Sequence, residues 1–253
     1  MELIRPDWAI SPKVHTLIST RLKGVSQTPY DSFNLGSHVG DIPEHVAKNR
    51  SLIRSRIPSD PIWLQQIHST IVSTPAHRMK LDGVTIIADA AITDNPNEVL
   101  AILTADCLPV LFAANDGSII GAAHAGWRGL CAGILENTVS EMLLARPQLK
   151  SSDLLAYMGP AIGPNAYEVG EDVYQNFAAS SVSIKKGDFE EIPDKKGKYL
   201  ANLYSLAKNR LNALGLSRIE GGQMCTFQES KRFYSYRRDG VTGRFASLIW
   251  FTQ

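Results

Sequence analysis

The chain predicts a mixed α+β fold with a sheet-rich middle, and three observations carry that prediction. Apolar runs of strand length follow one another at 99–103, 109–114 and 119–123. Asn115-Asp116-Gly117 stands between the last two and suits a hairpin turn. Beyond them, apolar residues recur at helical spacing in 129–145 and again in 203–214.

The elements follow in order. Residues 14–20 alternate enough to form a strand, and a loop rich in Gly, Pro and Asn runs on to Gly40. Asp41-Ile42-Pro43-Glu44 opens a helix with Asp41 as its cap and Pro43 in the first turn, burying Val46, Ile53 and Leu52. After Trp63, strands are expected at 84–88 and in the three apolar runs. Leu100-Ala101-Ile102-Leu103 and Val110-Leu111-Phe112 show no polar alternation, which fits strands covered on both faces. Residues 129–145 form one helix with Leu130, Ile134, Thr138 and Met142 on its inner side. A second helix at 203–214 ends at Gly215. The lysine-rich stretch 185–198, punctuated by Gly187, Pro193 and Gly197, reads as an exposed loop, and 244–251 as a closing strand.

Composition narrows the function class. With 253 residues, 44% hydrophobic and 20% charged, the chain has enough apolar material for a substantial core. A net charge of +1 gives no field that would draw nucleic acid or an anionic membrane. The start lacks a basic, then apolar leader, and no run approaches the roughly 20 apolar residues of a membrane helix. Three scattered cysteines do not form a disulfide framework, so a reducing, cytoplasmic setting is expected.

Reactive side chains centre on three runs: Gln-Gln-Ile-His-Ser around His68, Thr-Ala-Asp-Cys-Leu-Pro around Cys107, and Ala-Ala-His-Ala-Gly-Trp-Arg-Gly around His124. One thiol and two imidazoles form a set that zinc accepts with a fourth position open. Taken singly, each has a plainer reading: a core histidine, a small buried cysteine, a loop histidine. Spacing helps with one pair, because Cys107 and His124, 17 positions apart, suit adjacent ends of a hairpin. His124 ends a buried strand where Gly126 turns into a helix, whose first amides, with Arg128, could hold an anion. Asp89, in an apolar run, could orient a ligand imidazole, serve as a base, or simply satisfy a turn. Glu168 lies in a Gly/Pro-rich stretch of the kind that lines pockets. Tyr236 and Arg237, in Tyr-Ser-Tyr-Arg-Arg-Asp, suit phosphate or purine recognition, or a solvated charged edge.

Together these runs resemble the laccase-domain, or polyphenol oxidoreductase-like, family, whose bacterial members are also described as peptidoglycan editing factors and purine nucleoside phosphorylases. The resemblance rests on Thr104-Ala105-Asp106-Cys107-Leu108-Pro109, on His124-Ala125-Gly126-Trp127-Arg128-Gly129, and on Gln66-Ile67-His68. Asn34-Leu35-Gly36 with His38, Ala88-Asp89-Ala90, Tyr167-Glu168-Val169, Ser235-Tyr236-Arg237-Arg238-Asp239 and Thr242-Gly243-Arg244 extend it along the chain. It implies one domain over 1–253 with layered α/β/β/α architecture like that of certain cysteine hydrolases, and a metal on His68, Cys107 and His124. It also implies phosphorolysis of adenosine, inosine and methylthioadenosine, deamination of adenosine, and a link to cell-wall precursors. In that reading Zn2+ activates water, Asp89 or Glu168 carries protons, and Arg128, Arg237 and Tyr236 hold nucleoside and phosphate.

Three alternatives stand beside it. Copper could occupy a His2Cys site, although six histidines are too few for a laccase's full copper set. A cysteine hydrolase acting on a cell-wall precursor would use Cys107 as nucleophile with His124 or His68 as base. A binding protein of the cell-wall machinery would need none of this chemistry.

Overall fold

The computed structural model describes residues 1–81, 84–216 and 218–253. Two twisted sheets stacked face to face form its centre. The first runs in the order Leu3–Ile4, Val14–Ser19, Phe245–Phe251, Val99–Thr104, Pro61–Ile62. The second runs Arg218–Gly221, Leu154–Met158, Leu108–Ala114, Ile120–Ala125, Ala90–Thr93, Val72–Ser73.

Side-chain alternation sorts the apolar residues into three layers. Leu17, Ala101, Leu103 and Leu248 leave the outer face of the first sheet and pack with Ile53 of the Pro43–Arg54 helix. Ile18, Leu100, Ile102 and Ile249 point the other way and meet Leu111, Ala113, Ile120 and Ala122 of the second sheet. Val110, Phe112, Ala123 and Ala156 face outward onto Leu130, Ile134, Leu135, Val139, Leu206 and Leu211 of the helices beyond. The order is therefore helix, sheet, sheet, helix. Strands apolar on both faces are what such sheets require, because neither face meets water.

Several expectations are met at residue level. The hairpin at Asn115-Asp116-Gly117 is present, with Leu108–Ala114 antiparallel to Ile120–Ala125 and His124 opposite Pro109. Phe245–Phe251 closes the first sheet at its centre, between Val14–Ser19 and Val99–Thr104. The helix Leu203–Ala213 ends at Gly215 with φ +94°.

Four expectations need correction. The helix expected over 129–145 is two, Trp127–Ala132 and Ile134–Ala145, separated by Gly133 at φ +102°. A left-handed residue cannot continue an α-helix, and the apolar period runs unbroken across it, so periodicity hid the break. Asp41 does not cap the Pro43–Arg54 helix: Ile42 holds that position, while Asp41 accepts hydrogen bonds from Ser26 and Asn34. The strand expected at 84–88 reduces to Ile86–Ile87, paired with Leu64–Gln65, and Val84 is exposed. Stretch 185–198 is more than a loop, since Phe189–Glu191 and Glu168–Gly170 both pair with Lys198–Ala201. Among the described residues no helix is long and apolar enough to cross a membrane.

Candidate metal centre and its cleft

The three reactive runs meet at one end of the sheet stack. Cys107 lies on the short link between Val99–Thr104 of the first sheet and Leu108–Ala114 of the second, so it sits where the chain crosses between layers. His124 comes from the last turn of the neighbouring strand, since Ala125 pairs with Leu108. His68 arrives from a loop and holds φ +62°. The donor atoms of His68, Cys107 and His124 all lie within 4.8 Å of one another. Cys107 Sγ is 3.7 Å from His68 Nε2, and the two imidazoles stand edge to face at 4.8 Å between ring centres.

Asp89 builds the centre from beneath. Its fully buried carboxylate accepts hydrogen bonds from the backbone amides of Ile67, His68 and Ser69, from the Ser69 hydroxyl, and from His124 Nδ1 at 2.8 Å. Its carbonyl oxygen accepts from the His124 amide at 2.7 Å. One carboxylate thus fixes the His68 loop and the orientation of the His124 ring, leaving His124 Nε2 for a ligand. Burial alone would raise the Asp89 pKa, but the bonds from His124 and Ser69 outweigh it and hold the carboxyl at about 2. At Cys107 burial also opposes ionisation, yet the neighbouring His124 and His68 pull the thiol below its ordinary value. His124 is lifted above its ordinary value against its own burial, first by Cys107 and then by Asp89.

The donor set fits a tetrahedral metal. Zn–S near 2.3 Å and Zn–N near 2.0–2.1 Å place neighbouring donors about 3.5 Å apart, close to the observed sulfur–nitrogen separation. A carboxylate on the far nitrogen of a ligand imidazole is the usual outer support. Gly126 adds a steric argument: a Cβ there would lie 2.7 Å from the His68 ring and 3.0 Å from Cys107 Sγ. Only a residue without a side chain lets this turn pass so close to two ligands.

The centre opens into a cleft of about 540 Å³, within the roughly 300–1,000 Å³ of small-molecule sites. Arg128, Arg237 and Tyr236 line it. Arg128 stacks on Trp127, and Arg237 lies over Tyr167 while donating to the Glu168 carbonyl. Glu168 itself is placed differently: its carboxylate pairs with Lys195 at 2.7 Å and does not line the cleft. Asp89, too, is outside the lining.

Other contributors carry the family resemblance in sequence but have no role assigned there. His38, Gln66, Thr104, Tyr167 and Arg244 all line the cleft. Gln66 clamps the strand end through both Leu103 backbone groups, and its position two residues before His68 was a usable signal. Asp106, at φ +97°, accepts from the Thr226 hydroxyl and the Arg237 amide, tying the Cys107 link to the C-terminal segment. Burial pushes the Tyr167 hydroxyl's pKa up, so at neutral pH it is a donor and not a base.

Comparison with known proteins gives a consistent picture. A family model described as multi-copper polyphenol oxidoreductase laccase matches residues 15–252. A Haemophilus influenzae protein named purine nucleoside phosphorylase is 47% identical over 253 residues, covering 99% of this chain and 100% of its own. The purine nucleoside phosphorylase YfiH of Escherichia coli is 46% identical over 259 residues, covering 98% of each chain. Among solved structures, a Neisseria meningitidis protein superposes with TM-score 0.90 at 44% identity over 100% of both chains. The hypothetical protein YfiH of Bacillus licheniformis gives TM-score 0.87 at 32% identity, over 94% of this chain and 93% of that one.

Proposed function

This chain belongs to the multi-copper polyphenol oxidoreductase laccase family, and on that premise we propose that it is a metal-dependent purine nucleoside phosphorylase acting on adenosine, inosine and methylthioadenosine. The observation that carries the reading is the convergence of His68, Cys107 and His124 at the edge of a cleft lined by three arginines. Relatives 46–47% identical across nearly the whole chain are named purine nucleoside phosphorylase, which supports the reaction class.

Phosphorolysis joins a phosphate oxygen to C1′ of the ribose while the bond from C1′ to the purine breaks and the departing base takes up a proton. Each demand has a candidate in the cleft. Arg128, Arg237 and Arg244 have no carboxylate in salt-bridge range among the described residues, so their charge remains for an anionic co-substrate. Trp127 and the exposed ring of Tyr236 offer aromatic faces to the base. The Tyr167 hydroxyl can donate to a heteroatom of the substrate. Asp89 keeps His124 in the tautomer that presents Nε2, which is positioning and not proton transfer. A divalent ion held by the two imidazoles and the thiolate would supply Lewis acidity toward an oxygen at its open position. A thiolate with two imidazoles and an open position suits zinc; one copper would fit the same set, but the several coppers of the family's description find no second cluster among the described residues.

Deamination of adenosine has less support. Zinc deaminases use an acidic side chain beside the attacking water. Here Asp106, the carboxylate that lines the cleft, already accepts two hydrogen bonds, and Glu168 is paired with Lys195. Nothing in the cleft selects a cell-wall precursor over a nucleoside.

The test is His124→Ala in protein purified without added metal. Elemental analysis should show near-stoichiometric zinc in the parent and little in the variant, and phosphorolysis of adenosine and inosine should fall by at least about 100-fold. Full phosphorolysis by a metal-free variant would overturn the mechanism. A cysteine-hydrolase reading draws on the closeness of Cys107 Sγ to His68 Nε2. Irreversible inactivation of the apo protein by iodoacetamide, with a trapped acyl-enzyme, would favour that reading instead.

A further inference from the structure

Arg244 is the least explained charge in the cleft. It immediately precedes the closing strand, whose first residue, Phe245, pairs with Thr104 across the first sheet. One terminal amine donates to the carbonyls of Thr242 and Gly243, while Nε and the other amine have no partner among the described residues. Its guanidinium lies 6.0 Å from the Tyr236 ring centre. The backbone holds it deliberately: buried Asn34 accepts from the Arg244 amide, and a Cβ at Gly36 would come within 2.9 Å of its side chain. A half-buried cation with no carboxylate is costly unless an anion joins it.

Two neighbours point the same way. Thr104, 2% exposed, lines the cleft, and its hydroxyl is buried without any hydrogen-bond partner. A buried unsatisfied hydroxyl in a native protein needs an explanation, and a ligand atom supplies one. The His38 imidazole also lines the cleft and has no hydrogen bond among the described residues. Burial, and after it the charges of the nearby Arg244 and Arg50, push its pKa down. Arg128 and Arg237 differ, being exposed and stacked on neighbouring rings.

We propose that Arg244, the Thr104 hydroxyl and His38 form a phosphoryl-oxyanion subsite, with the open edge of the guanidinium as its fork. The subsite rests on the phosphorolysis reading for its role, where the oxyanion is the attacking inorganic phosphate. The same chemistry would also take the 5′-phosphate of a nucleotide, so the experiment carries both.

Calorimetric titration of the metal-loaded protein with inorganic phosphate, adenosine 5′-monophosphate and adenosine reads binding without turnover. Arg244→Gln and Arg244→Lys should weaken whichever phosphate compound binds by about 10- to 100-fold, because a charge-assisted fork is lost even when the charge is kept. Adenosine binding should change less than about 3-fold, within the scatter of one lost weak contact. Thr104→Val should weaken the same compound by about 10-fold while leaving thermal stability equal or higher, since it removes an unsatisfied buried group. In steady state the variants should raise KM for phosphate far more than KM for the nucleoside. Loss confined to inorganic phosphate names the co-substrate as occupant, and loss confined to the nucleotide names the ester phosphate. No phosphate binding by the parent, or unchanged binding in all three variants, overturns the proposal. Phosphate binding lost in the variants of a protein that carries out no phosphorolysis would leave the subsite standing and remove the phosphorylase reading.

Discussion

At the scale of single residues, Asp89 shows how much one buried carboxylate can organise. It has no exposed surface, and its two oxygens receive the backbone amides of Ile67, His68 and Ser69 and the Ser69 hydroxyl, together with the far nitrogen of His124. Asp89→Asn keeps the shape but turns one acceptor into a donor facing other donors. Metal affinity should fall by about 10- to 100-fold, the usual cost of losing an outer support of a metal ligand. Competition with a chromogenic chelator measures it, and unchanged affinity would show that the imidazole is oriented by something else. Sequence placed Asp89 near the chemistry but left its role open, because a carboxylate that orients and one that transfers protons look alike in a string of residues.

At the scale of elements, Gly133 is the instructive case. It ends Trp127–Ala132 and starts Ile134–Ala145 in a left-handed conformation, donating its amide to the Gly129 carbonyl. The break lets the first short helix follow the turn at Gly126 while the second lies along the outer sheet face, burying Leu135, Thr138 and Met142. Gly133→Ala should cost about 1 kcal/mol or more, because an L-side chain at positive φ is strained and no mutual packing offsets it. Equilibrium denaturation would read the loss, and a neutral or stabilising change would mean that the two helices can merge. Periodicity alone could not locate this joint, since Leu130 and Ile134 keep the same four-residue interval on both sides.

At the scale of the whole molecule, the metal centre lies at the end of the layers and not within them. The three apolar cores are built without His68, Cys107 or His124, and of these only His124 lies on a core strand, buried near its end. Stripping the metal with a chelator should therefore leave far-ultraviolet circular dichroism unchanged. It should lower Tm by several degrees, through loss of ligand linkage, and abolish phosphorolysis. Global unfolding on chelation would show instead that the ion holds the two sheets together. The placement also explains why Asp106 and Gln66 matter: they fasten links that cross between layers, where no ladder of backbone hydrogen bonds does so.

The amino-acid order by itself determined the two-faced apolar strands, the hairpin at Asn115-Asp116-Gly117, the helix after Asn202 and the three reactive runs, because each depends on neighbours within a few residues. It also brought Cys107 and His124 together, since a hairpin fixes their register locally. Tertiary structure alone decided the rest. His68 reaches the centre from 39 residues away through a loop held by Asp89, and Arg244 reaches the cleft from the far end of the chain. It also placed Glu168 against Lys195 and out of the lining. Such contacts are set by how sheets stack and where strands end, and those distances are absent from any local pattern of residues.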